Sequence, residues 1–552
     1  MSKIAIIVSN TKRCYWVEAD QPLVIWYSEY EGQKGSISLP DQPWGTNIRG
    51  YGGKWLGVHH SYLWAITRQG AVWVYCDECW QCWVKPGCYQ WGGLSWSTDS
   101  DYIMAVREMN DQEELVKITA NDIQILHSDC EGYLDIIYHQ HCWYWIGWQA
   151  PMMPWDETTL YQGYWNGDQW IHQKIKQGAS LLQPQSTPLG LVVMSDEQGY
   201  YQPLLVEEEK VTELSSLPYD ALPPLWQIGY QHWCYHQVLW VARSVEGQWV
   251  LYADDVVIQQ PLVEINEILP WGSGCLLRGS SASGEDHIVT IQLNQEGHYI
   301  AEYWFNNDLV DNPYECYCIP HKGACSWLWR PKGKKSMPLI VWVHGGPTAQ
   351  VTPSFDLKKQ SWLDDGYAVL AINYTGSSGF GRDHRQALLG QWGAQDVDDV
   401  IDVTQQVVKL FNIDEKRLFI RGSSAGGLTA LRVMQECSLF AGGILFYPVT
   451  DVSSLSDTHR FERYYGDRLL SSKCKTLHHK VNTPLLLFHG GKDDVVPLKY
   501  SQRLAAQLRL WNCNVTLMVF PNEGHGFRNE DTLVCSDRVA KRFCLLQCTE
   551  EL

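Results

Sequence analysis

The sequence predicts two domains of different class, an all-β array over residues 1–312 and a mostly parallel, doubly wound α/β sheet over residues 313–552. The first part consists of short runs rich in aromatic and β-branched residues, separated by turn residues, with little helical periodicity. The second part alternates apolar strand-like runs with helical segments. Within it, a tight glycine-serine turn joins a strand to a helix, the place where open α/β sheets build their sites.

Length, charge and apolar runs narrow the class of protein. The chain has 552 residues, too many for one ordinary domain. Its net charge is −19 and its one short basic stretch lies at 332–335, so we expect no nucleic-acid partner. The N-terminal apolar run at 4–8 is too short for a secretory signal, and no run approaches the roughly 18 apolar residues of a membrane span. We therefore expect a cytoplasmic protein with no membrane partner.

The chain contains 18 cysteines, which we expect to be reduced and buried rather than bridged. Cys76, Cys79, Cys82 and Cys88 have a spacing that suits thiolate ligation of zinc or an iron–sulfur cluster. Strand alternation would instead send neighbouring cysteines to different faces. The favoured interpretation is a strand and turn without metal, so we expect no cofactor. Metal binding by these four residues stays open.

Residues 1–312 are expected to fold as a β-propeller. Most of the 28 tryptophans lie here, in strand-like segments such as 64–75, 134–148 and 287–293. Many short strands with recurring aromatic and turn signals indicate a sandwich array or a propeller. At about 40–45 residues per blade, this length holds about seven blades, with six or eight as alternatives.

Residues 313–552 have the element order of an α/β sheet covered by helices on both faces. The helix predicted at 396–411 has apolar residues at helical spacing with acidic residues between them. The predicted elements are strands at 339–343, 367–373, 418–421, 443–447, 485–489 and 515–520, and a helix at 396–411.

The sequence around Ser424 predicts a nucleophile. Residues 422–426 read Gly-Ser-Ser-Ala-Gly, the G-x-S-x-G pattern, between a strand and a helix. A serine on such a turn projects its hydroxyl into a cleft, and the small neighbours let the backbone pack closely. The amide of Ala425, first in the helix, would lie where negative charge develops. Ser424 is the central residue of the motif and Ser423 is not.

A base and an acid follow further strands. His525 lies in a glycine-flanked loop after the last strand, and Asp493 and Asp494 follow the strand at 485–489. The chain order serine, aspartate, histidine is that of the α/β-hydrolases. His525 would take the serine proton, and the acid would orient the imidazole. Weaker candidates are His344 and His489 for the base, and Asp451 for the acid.

A series of further motifs runs in fixed order through the second part of the chain. With them, this part resembles the peptidase domain of the prolyl oligopeptidase family, in particular its acylaminoacyl-peptidase and dipeptidyl-peptidase-like branch. The motifs are His-Gly-Gly-Pro-Thr at 344–348, Asn-Tyr-Thr-Gly-Ser-Ser-Gly-Phe-Gly-Arg at 373–382, Trp-Gly at 392–393, Gly-Ser-Ser-Ala-Gly-Gly at 422–427, Thr-His-Arg-Phe-Glu at 458–462 and Glu-Gly-His-Gly-Phe at 523–527.

The resemblance implies further residue roles. The family motif places the acid four residues before Pro497, which selects Asp493. It suggests the amide of Gly346 as the second oxyanion donor beside that of Ala425, although the residues alone do not separate Gly346 from Gly345. Residues 49–53, 96–102 and 153–156 resemble propeller signatures of the same branch.

The resemblance also implies a function. The expected protein is a serine exo- or oligopeptidase that cleaves short peptides through an acyl-enzyme, with the propeller excluding large folded substrates. A carboxylesterase on the same fold is one alternative, and a propeller scaffold with an inactive hydrolase is another. Substrate specificity stays open, as does the formation of a homo-oligomer.

Overall fold

The computed structural model describes residues 4–30, 32–59, 62–97, 99, 101–207, 210–304, 314–334, 336–450, 461–472 and 480–549. The chain divides into two compact units, Met1–Val245 with Trp249–Leu309, and Glu246–Gln248 with Val310–Leu552. The predicted domain boundary between residues 312 and 313 falls outside the described residues and stays a prediction.

In its described part the first unit contains seven four-stranded sheets, each made of four consecutive strands. This arrangement confirms the predicted propeller of about seven blades. The strands are β1 (Ile4–Ser9), β2 (Arg13–Glu18), β3 (Gln21–Glu29) and β4 (Lys34–Ser38); β5 (Leu56–His59), β6 (Tyr62–Ile66), β7 (Val72–Cys76) and β8 (Cys79–Val84); β9 (Gln90–Trp96), β10 (Ile103–Met109), β11 (Gln112–Ile118) and β12 (Ile123–His127); β13 (Gly132–His139), β14 (Cys142–Trp148), β15 (Thr159–Asn166) and β16 (Gln169–Gln177); β17 (Leu181–Thr187), β18 (Gly190–Ser195), β19 (Gln202–Val206) and β20 (Val211–Glu213); β21 (Trp233–His236), β22 (Val238–Val245), β23 (Gln248–Ala253) and β24 (Val256–Ile258); β25 (Leu262–Trp271), β26 (Gly274–Ser281), β27 (His287–Leu293) and β28 (Tyr299–Tyr303).

Aromatic side chains fill the space between neighbouring sheets, which explains the tryptophan content of this half. Trp91 is fully buried in the core between the second and third sheets, beside Trp64. The first and last sheets close the ring in the same way, with Trp16 packed in one cluster with Trp271. Burial of such large apolar areas is the main favourable term in holding the blades together.

Two segments between sheets meet inside the propeller and form a contact that we call the cross-brace (residues 48–54 and 226–230). Gly53 pairs with Ile228 in a parallel bridge, and the amide of Lys54 donates to the carbonyl of Ile228 at 2.9 Å. The cross-brace borders a cavity of about 610 Å³ lined mainly by the first strands of the sheets. Glycine is needed where it passes the third sheet, because a Cβ on Gly92 would lie 2.6 Å from Ile228 Cγ2.

The second unit is built on one eight-stranded sheet in the order β29-β30-β32-β31-β33-β34-β35-β36, parallel from β32 to β36. The α/β-hydrolase fold is confirmed. Its strands are β29 (Tyr314–His321), β30 (Ala324–Pro331), β31 (Met337–Val343), β32 (Ala368–Ile372), β33 (Ile413–Ser423), β34 (Gly442–Phe446), β35 (Leu485–Gly490) and β36 (Val515–Phe520). Its helices are α1 (Leu357–Asp364), α2 (Arg382–Gln386), α3 (Gln395–Leu410), α4 (Ala425–Glu436), α5 (Tyr465–Leu469), α6 (Leu498–Leu510) and α7 (Glu530–Thr549).

The cysteines correct the expectation that all are reduced and buried. Cys318 and Cys325, on the hairpin strands β29 and β30, form a disulfide. Cys79, Cys82 and Cys88 are free and exposed. A β-hairpin brings residues on its two strands together regardless of their apolar pattern. The sequence pattern therefore did not indicate this disulfide.

The four clustered cysteines lie around the β7–β8 hairpin, and the thiol of Cys82 donates to the carbonyl of Val84 at 3.2 Å. Across the described residues, no group of three or more histidine, cysteine, aspartate or glutamate side chains is placed to hold a metal ion. In the same part of the chain, no helix combines the length and apolarity needed to cross a bilayer.

Candidate active site

Ser424 lies on the turn between β33, which ends at Ser423, and α4, which begins at Ala425. Its backbone has φ 53° and ψ −121°, a region that costs a non-glycine residue on the order of 1–3 kcal/mol. Three hydrogen bonds hold it there: its amide donates to the carbonyl of Phe446 at 3.0 Å, and its carbonyl accepts from the amides of Gly427 at 2.9 Å and Val449 at 3.0 Å. The surrounding backbone therefore fixes the strained turn.

The two glycines of the motif are required by close packing. A Cβ on Gly422 would lie 2.2 Å from the carbonyl oxygen of Gly426. A Cβ on Gly426 would lie 2.3 Å from the carbonyl oxygen of His344. Because both contacts are with backbone, neither position can accommodate a larger residue without moving the turn.

The structure brings Ser424, His525 and Asp493 into one hydrogen-bonded row. The Nε2 atom of His525 lies 3.0 Å from Ser424 Oγ, and its Nδ1 atom lies 2.9 Å from Asp493 Oδ2. A carboxylate only accepts, so Nδ1 carries the proton and Nε2 is left to accept from the serine hydroxyl. This is the tautomer that a base acting on the hydroxyl requires.

Asp493 is buried and held by several donors. Its Oδ1 accepts from the amides of Val495 at 3.1 Å and Val496 at 2.8 Å, and its Oδ2 also lies 3.3 Å from His489 Nε2. Burial alone would raise the pKa of Asp493, but hydrogen bonds from His489 and His525, the nearby imidazole and the Val496 amide outweigh it and lower the pKa to about 2. The carboxylate is therefore ionised at neutral pH.

The loop of His525 is fastened by Glu523, to which the sequence analysis gave no role. The buried Glu523 carboxylate accepts from the amides of Arg528 and Asn529, both at 3.0 Å. Burial would raise the pKa of Glu523, but these backbone donors lower it. Its carbonyl also accepts from the amide of Lys492 at 2.8 Å, which joins the loop of His525 to the loop of Asp493. The Glu-Gly-His-Gly motif was the available signal.

The two rival histidines are hydrogen-bonded to groups other than the hydroxyl of Ser424, and His489 also contacts Asp493 Oδ2 at 3.3 Å. His344 Nδ1 donates to the carbonyl of Gly345 at 2.7 Å, and Nε2 accepts from Ser377 Oγ at 2.9 Å. Burial lowers the pKa of His344 to about 4, against a smaller opposing effect of the Gly345 carbonyl, so the ring is neutral. His489 donates from Nε2 to the carbonyl of Val496 at 2.8 Å.

The two rival acids differ from Asp493 in position. Asp494 is exposed next to it. Asp451, and with it the Thr-His-Arg part of the motif at 458–460, lies outside the described residues.

The two predicted oxyanion donors belong to two segments next to Ser424, the start of α4 and the turn at 344–347. As the first residue of α4, Ala425 presents an amide that the helix itself does not use. The turn at 344–347 also lies against the serine, since a Cβ on Gly345 would be 3.3 Å from Ser424 Cβ. Gly346 has φ 118°, a conformation that favours glycine. The assignment of Gly346 rather than Gly345 as donor stays a proposal.

Tyr374 supports this turn, a role not assigned from the sequence. Its hydroxyl donates to the carbonyl of His344 at 2.9 Å. Its ring stacks on that of His344 with centroids 4.3 Å apart and planes 16° apart. Tyr374 is fully buried, so this contact fixes the path of the turn from behind.

The fold and the site define an α/β-hydrolase with a serine, histidine and aspartate in line. A sequence profile of the prolyl oligopeptidase family matches residues 353–545, which contain all three of these residues but not the turn at 344–347. The relationship to the prolyl oligopeptidase family, expected from the motifs, is thereby confirmed.

Curated relatives match less than half of the chain. A peptidase of Bacillus subtilis is 29% identical over 259 residues, or 43% of this chain and 39% of the relative. Dipeptidyl aminopeptidase BIII of Pseudoxanthomonas mexicana is 30% identical over 265 residues, or 43% of this chain and 38% of the relative. The chain thus spans about two fifths of the length of these curated relatives.

Solved structures share the fold over nearly the whole chain. A puromycin-hydrolyzing peptidase of Mycobacterium tuberculosis has a TM-score of 0.87 at 21% identity, covering 98% of this chain and 94% of the other. Pyrococcus horikoshii acylaminoacyl peptidase has a TM-score of 0.70 at 14% identity, covering 99% of this chain and 95% of the other. At these identities the likeness establishes the architecture.

Proposed function

We propose that the protein is a serine peptidase that hydrolyses short peptides through an acyl-enzyme. The observation that carries the proposal is the row in which His525 contacts Ser424 Oγ at 3.0 Å and Asp493 Oδ2 at 2.9 Å. The names of the relatives, which include a dipeptidyl aminopeptidase and acylamino-acid-releasing enzymes, support peptides as the substrate class.

In the first half of the reaction, Ser424 Oγ attacks the carbonyl carbon of the scissile bond while His525 Nε2 takes the hydroxyl proton. The carbonyl oxygen becomes an oxyanion, for which the amides of Ala425 and Gly346 are the proposed donors. His525 then gives the proton to the leaving amine, the carbon–nitrogen bond breaks, and an ester to Ser424 remains.

In the second half, water replaces the amine. His525 takes a proton from the attacking water, a second oxyanion forms, and its collapse returns the proton to Ser424 and releases the acid product. Asp493, ionised at neutral pH, keeps the imidazole in the required tautomer and stabilises its charged form in both halves.

The proposal also covers the location of the enzyme in the cell. The proposed location is the cytoplasm: the exposed free thiols of Cys79 and Cys88 favour a reducing compartment, whereas the Cys318–Cys325 disulfide is the observation against it. Two further properties are to be measured: which end of a peptide the enzyme prefers, and whether it forms a homo-oligomer.

Labelling with a fluorophosphonate probe tests whether Ser424 is an activated nucleophile. We expect the full chain to react and the S424A variant not to react, with S423A as the matched control that still labels. Absence of labelling in the wild type would favour the alternative of an inactive hydrolase on a propeller scaffold.

Turnover assays separate peptidase from esterase. Aminoacyl p-nitroanilides and p-nitrophenyl esters are compared on the same preparation, and a peptide library with product masses shows where cleavage falls. Hydrolysis of anilides and peptides supports the proposal. Turnover of esters alone would replace it with a carboxylesterase.

A further inference from the structure

Tyr374, which supports the turn at 344–347 (the glycine turn), lies in a loop that directly follows β32. The loop touches the glycine turn at a second point, because the hydroxyl of Ser377 donates to His344 Nε2 at 2.9 Å. Both contacts are with the first residue of the turn that carries Gly346, one of the two proposed oxyanion donors. The position of this loop therefore affects the position of the glycine turn.

The residue before Tyr374 is fastened to strand β30. The amide of Asn373 donates to Ser326 Oγ at 3.0 Å, and its Nδ2 donates to the carbonyl of Cys325 at 2.7 Å. The same side chain also accepts from the amide of Val351 and donates to its carbonyl, both at 2.8 Å. Asn373 is buried, so these hydrogen bonds fix the chain on one side of Tyr374.

The residue after Tyr374 is held by a carboxylate from a different element. Asp399 lies on α3, and its Oδ2 accepts from the amide of Thr375 at 2.7 Å. The Asp399 side chain is fully buried. A hydrogen bond to an ionised acceptor is stronger than one between neutral groups, and more so away from water. The chain is thereby fixed on the other side of Tyr374 as well.

The second oxygen of Asp399 binds the turn of the β29–β30 hairpin. Its Oδ1 accepts from Lys322 Nζ at 2.6 Å and from Gln395 Nε2 at 3.1 Å, and it lies 3.1 Å from His321 Nε2. Burial alone would raise the pKa of this carboxyl group, but hydrogen bonds from Lys322, Thr375 and His321 outweigh it and lower the pKa. Asp399 is therefore ionised at neutral pH.

Both neighbours of Tyr374 are thus tied to one hairpin. Asn373 binds strand β30 directly, and Thr375 is bound through Asp399 to the turn that joins β29 to β30. Support of this kind matters for catalysis, because a misplacement of about 1 Å can cost about 10²-fold in rate even when its origin is distant from the reacting atoms.

We propose that Asp399 is a positioning residue for catalysis. Bound to the Thr375 amide with one oxygen and to the hairpin turn with the other, it keeps Tyr374 in place against the glycine turn. The inference rests on the proposed function, because it concerns the segment that carries a proposed oxyanion donor. The competing role is that of a buried ion pair that only stabilises the fold.

Steady-state kinetics of the full chain distinguish the two roles. D399N keeps the shape of the side chain, but its amide nitrogen faces donors where an acceptor is needed. We expect kcat to fall by about 10-fold with little change in KM, on whichever anilide or ester the wild type turns over. D398N, at the exposed neighbour on α3, is the matched control and should behave like the wild type. Active-site titration with a fluorophosphonate corrects each rate for unfolded protein.

A double-mutant cycle shows whether Asp399 acts through Tyr374. Substitutions that disturb the same contact are not additive. Y374F already removes the hydrogen bond to the glycine turn, so the double variant D399N/Y374F should be about as slow as Y374F alone. If the two losses in kcat multiply, Asp399 acts by another route and the proposal is overturned.

A variant at the hairpin turn keeps the proposal testable if D399N does not fold. Lys322 is 44% exposed, so K322M withdraws the cation from Asp399 without emptying a buried position. It should lower kcat by about 3-fold, because His321 and Gln395 still bind the carboxylate. K409M, at an exposed lysine of α3, is its control. An unchanged kcat in D399N, or in K322M where D399N is unfolded, would show that the cluster serves stability alone.

Amide hydrogen exchange, read by mass spectrometry, measures the positioning without any turnover. Peptides that cover residues 344–350 should exchange faster in D399N and K322M than in the wild type, and D398N should leave them unchanged. Faster exchange confined to the hairpin and α3 would refute the inference. Failure of the proposed function has a different signature, since the wild type itself would then hydrolyse neither anilides nor esters.

Discussion

Buried charge is arranged differently in the propeller and around Ser424. In the propeller, Arg49 and Glu113 are both fully buried and form a two-point pair with both contacts at 2.7 Å. Lys54 and Glu267, also buried, form a second pair. Each of these charges is met by its opposite, as the cost of removing ions from water demands.

Around Ser424 the pairing is not one to one. One carboxylate, Asp493, serves two histidines. Ser424 itself has a strained backbone. Matched charge thus marks where the chain secures its architecture, and a shared carboxylate with a strained backbone marks where it is arranged to act on another molecule. Substitutions in the two units should accordingly affect different measurements.

The largest expected effect is on catalysis at the strained turn. S424A should lower kcat for a peptide anilide by about 10⁶-fold, because no other group then forms the acyl-enzyme. S423A should retain most of the activity, and both variants should keep the wild-type Tm within about 2 °C. Comparable losses in the two variants would show that the nucleophile had been misassigned.

Removing the charge of Asp493 should have the next largest effect. D493N leaves the shape but favours the wrong imidazole tautomer, so kcat should fall by about 10⁴-fold. D494N, at the exposed neighbour, is the control and should have little effect. The measurement is steady-state turnover of the same anilide, and equal effects of the two substitutions would contradict the assignment.

Breaking a matched pair in the propeller should reduce stability instead. R49M leaves Glu113 buried without its partner, which should lower the free energy of unfolding by about 3–5 kcal/mol. R13M, which breaks the more exposed pair with Glu29, should cost less than about 1 kcal/mol. Denaturant unfolding measures both. A large loss of kcat per folded R49M molecule would break the division of roles between the units.

Lowering the pH should lower the free energy of unfolding of the second unit, because Asp493 becomes protonated. Its folded pKa is about 2, below the ordinary value of about 3.9, so its stabilising contribution is complete above about pH 4. That contribution, on the order of 2 kcal/mol, is lost as the pH falls from about 4 to 2. The unfolding free energy of D493N should therefore depend less steeply on pH in this window than that of the wild type. Identical slopes would disprove the linkage.

The smallest expected effect concerns the turn behind Gly346. Y374F removes the hydroxyl that donates to the carbonyl of His344, which should loosen the turn and lower kcat by about 10-fold with little change in KM. Y62F, at an exposed tyrosine of the propeller, is the control. A change confined to KM would show that Tyr374 acts on substrate binding instead of on the turn.

Local spacing allowed much of the α/β unit to be predicted. The strand, turn and helix around Ser424 follow from the G-x-S-x-G pattern, and the predicted helix at 396–411 corresponds to α3 at Gln395–Leu410. Tyr374 acquires its role only through a partner distant in the chain, because its hydroxyl donates to a carbonyl 30 residues away. No periodicity encodes such a contact.

In the propeller, the tryptophan-rich strand pattern predicted the architecture but not its interior. The signature at 49–53 was recognised as a resemblance without a physical role. Its one charged residue, Arg49, and the adjacent Lys54 find partners in strands 64 and 213 residues away, Glu113 and Glu267. Long-range pairing of this kind depends on how the sheets are arranged around the ring, which local patterns do not specify.

The cross-brace should change how the propeller unfolds. In repeat proteins whose repeats contact only their neighbours, the total stability is approximately the sum of the stabilities of the repeats and of their interfaces. Repeats can therefore be added or removed. Here Arg49 reaches the third and fourth sheets through Glu113 and Tyr133, and Lys54 reaches the seventh through Glu267. Loss of the third or the seventh sheet would leave Arg49 or Lys54 buried without its carboxylate. We therefore expect the propeller to unfold in a single cooperative transition. The buried ion pairs, together with the geometry of the ring, fix the number of blades.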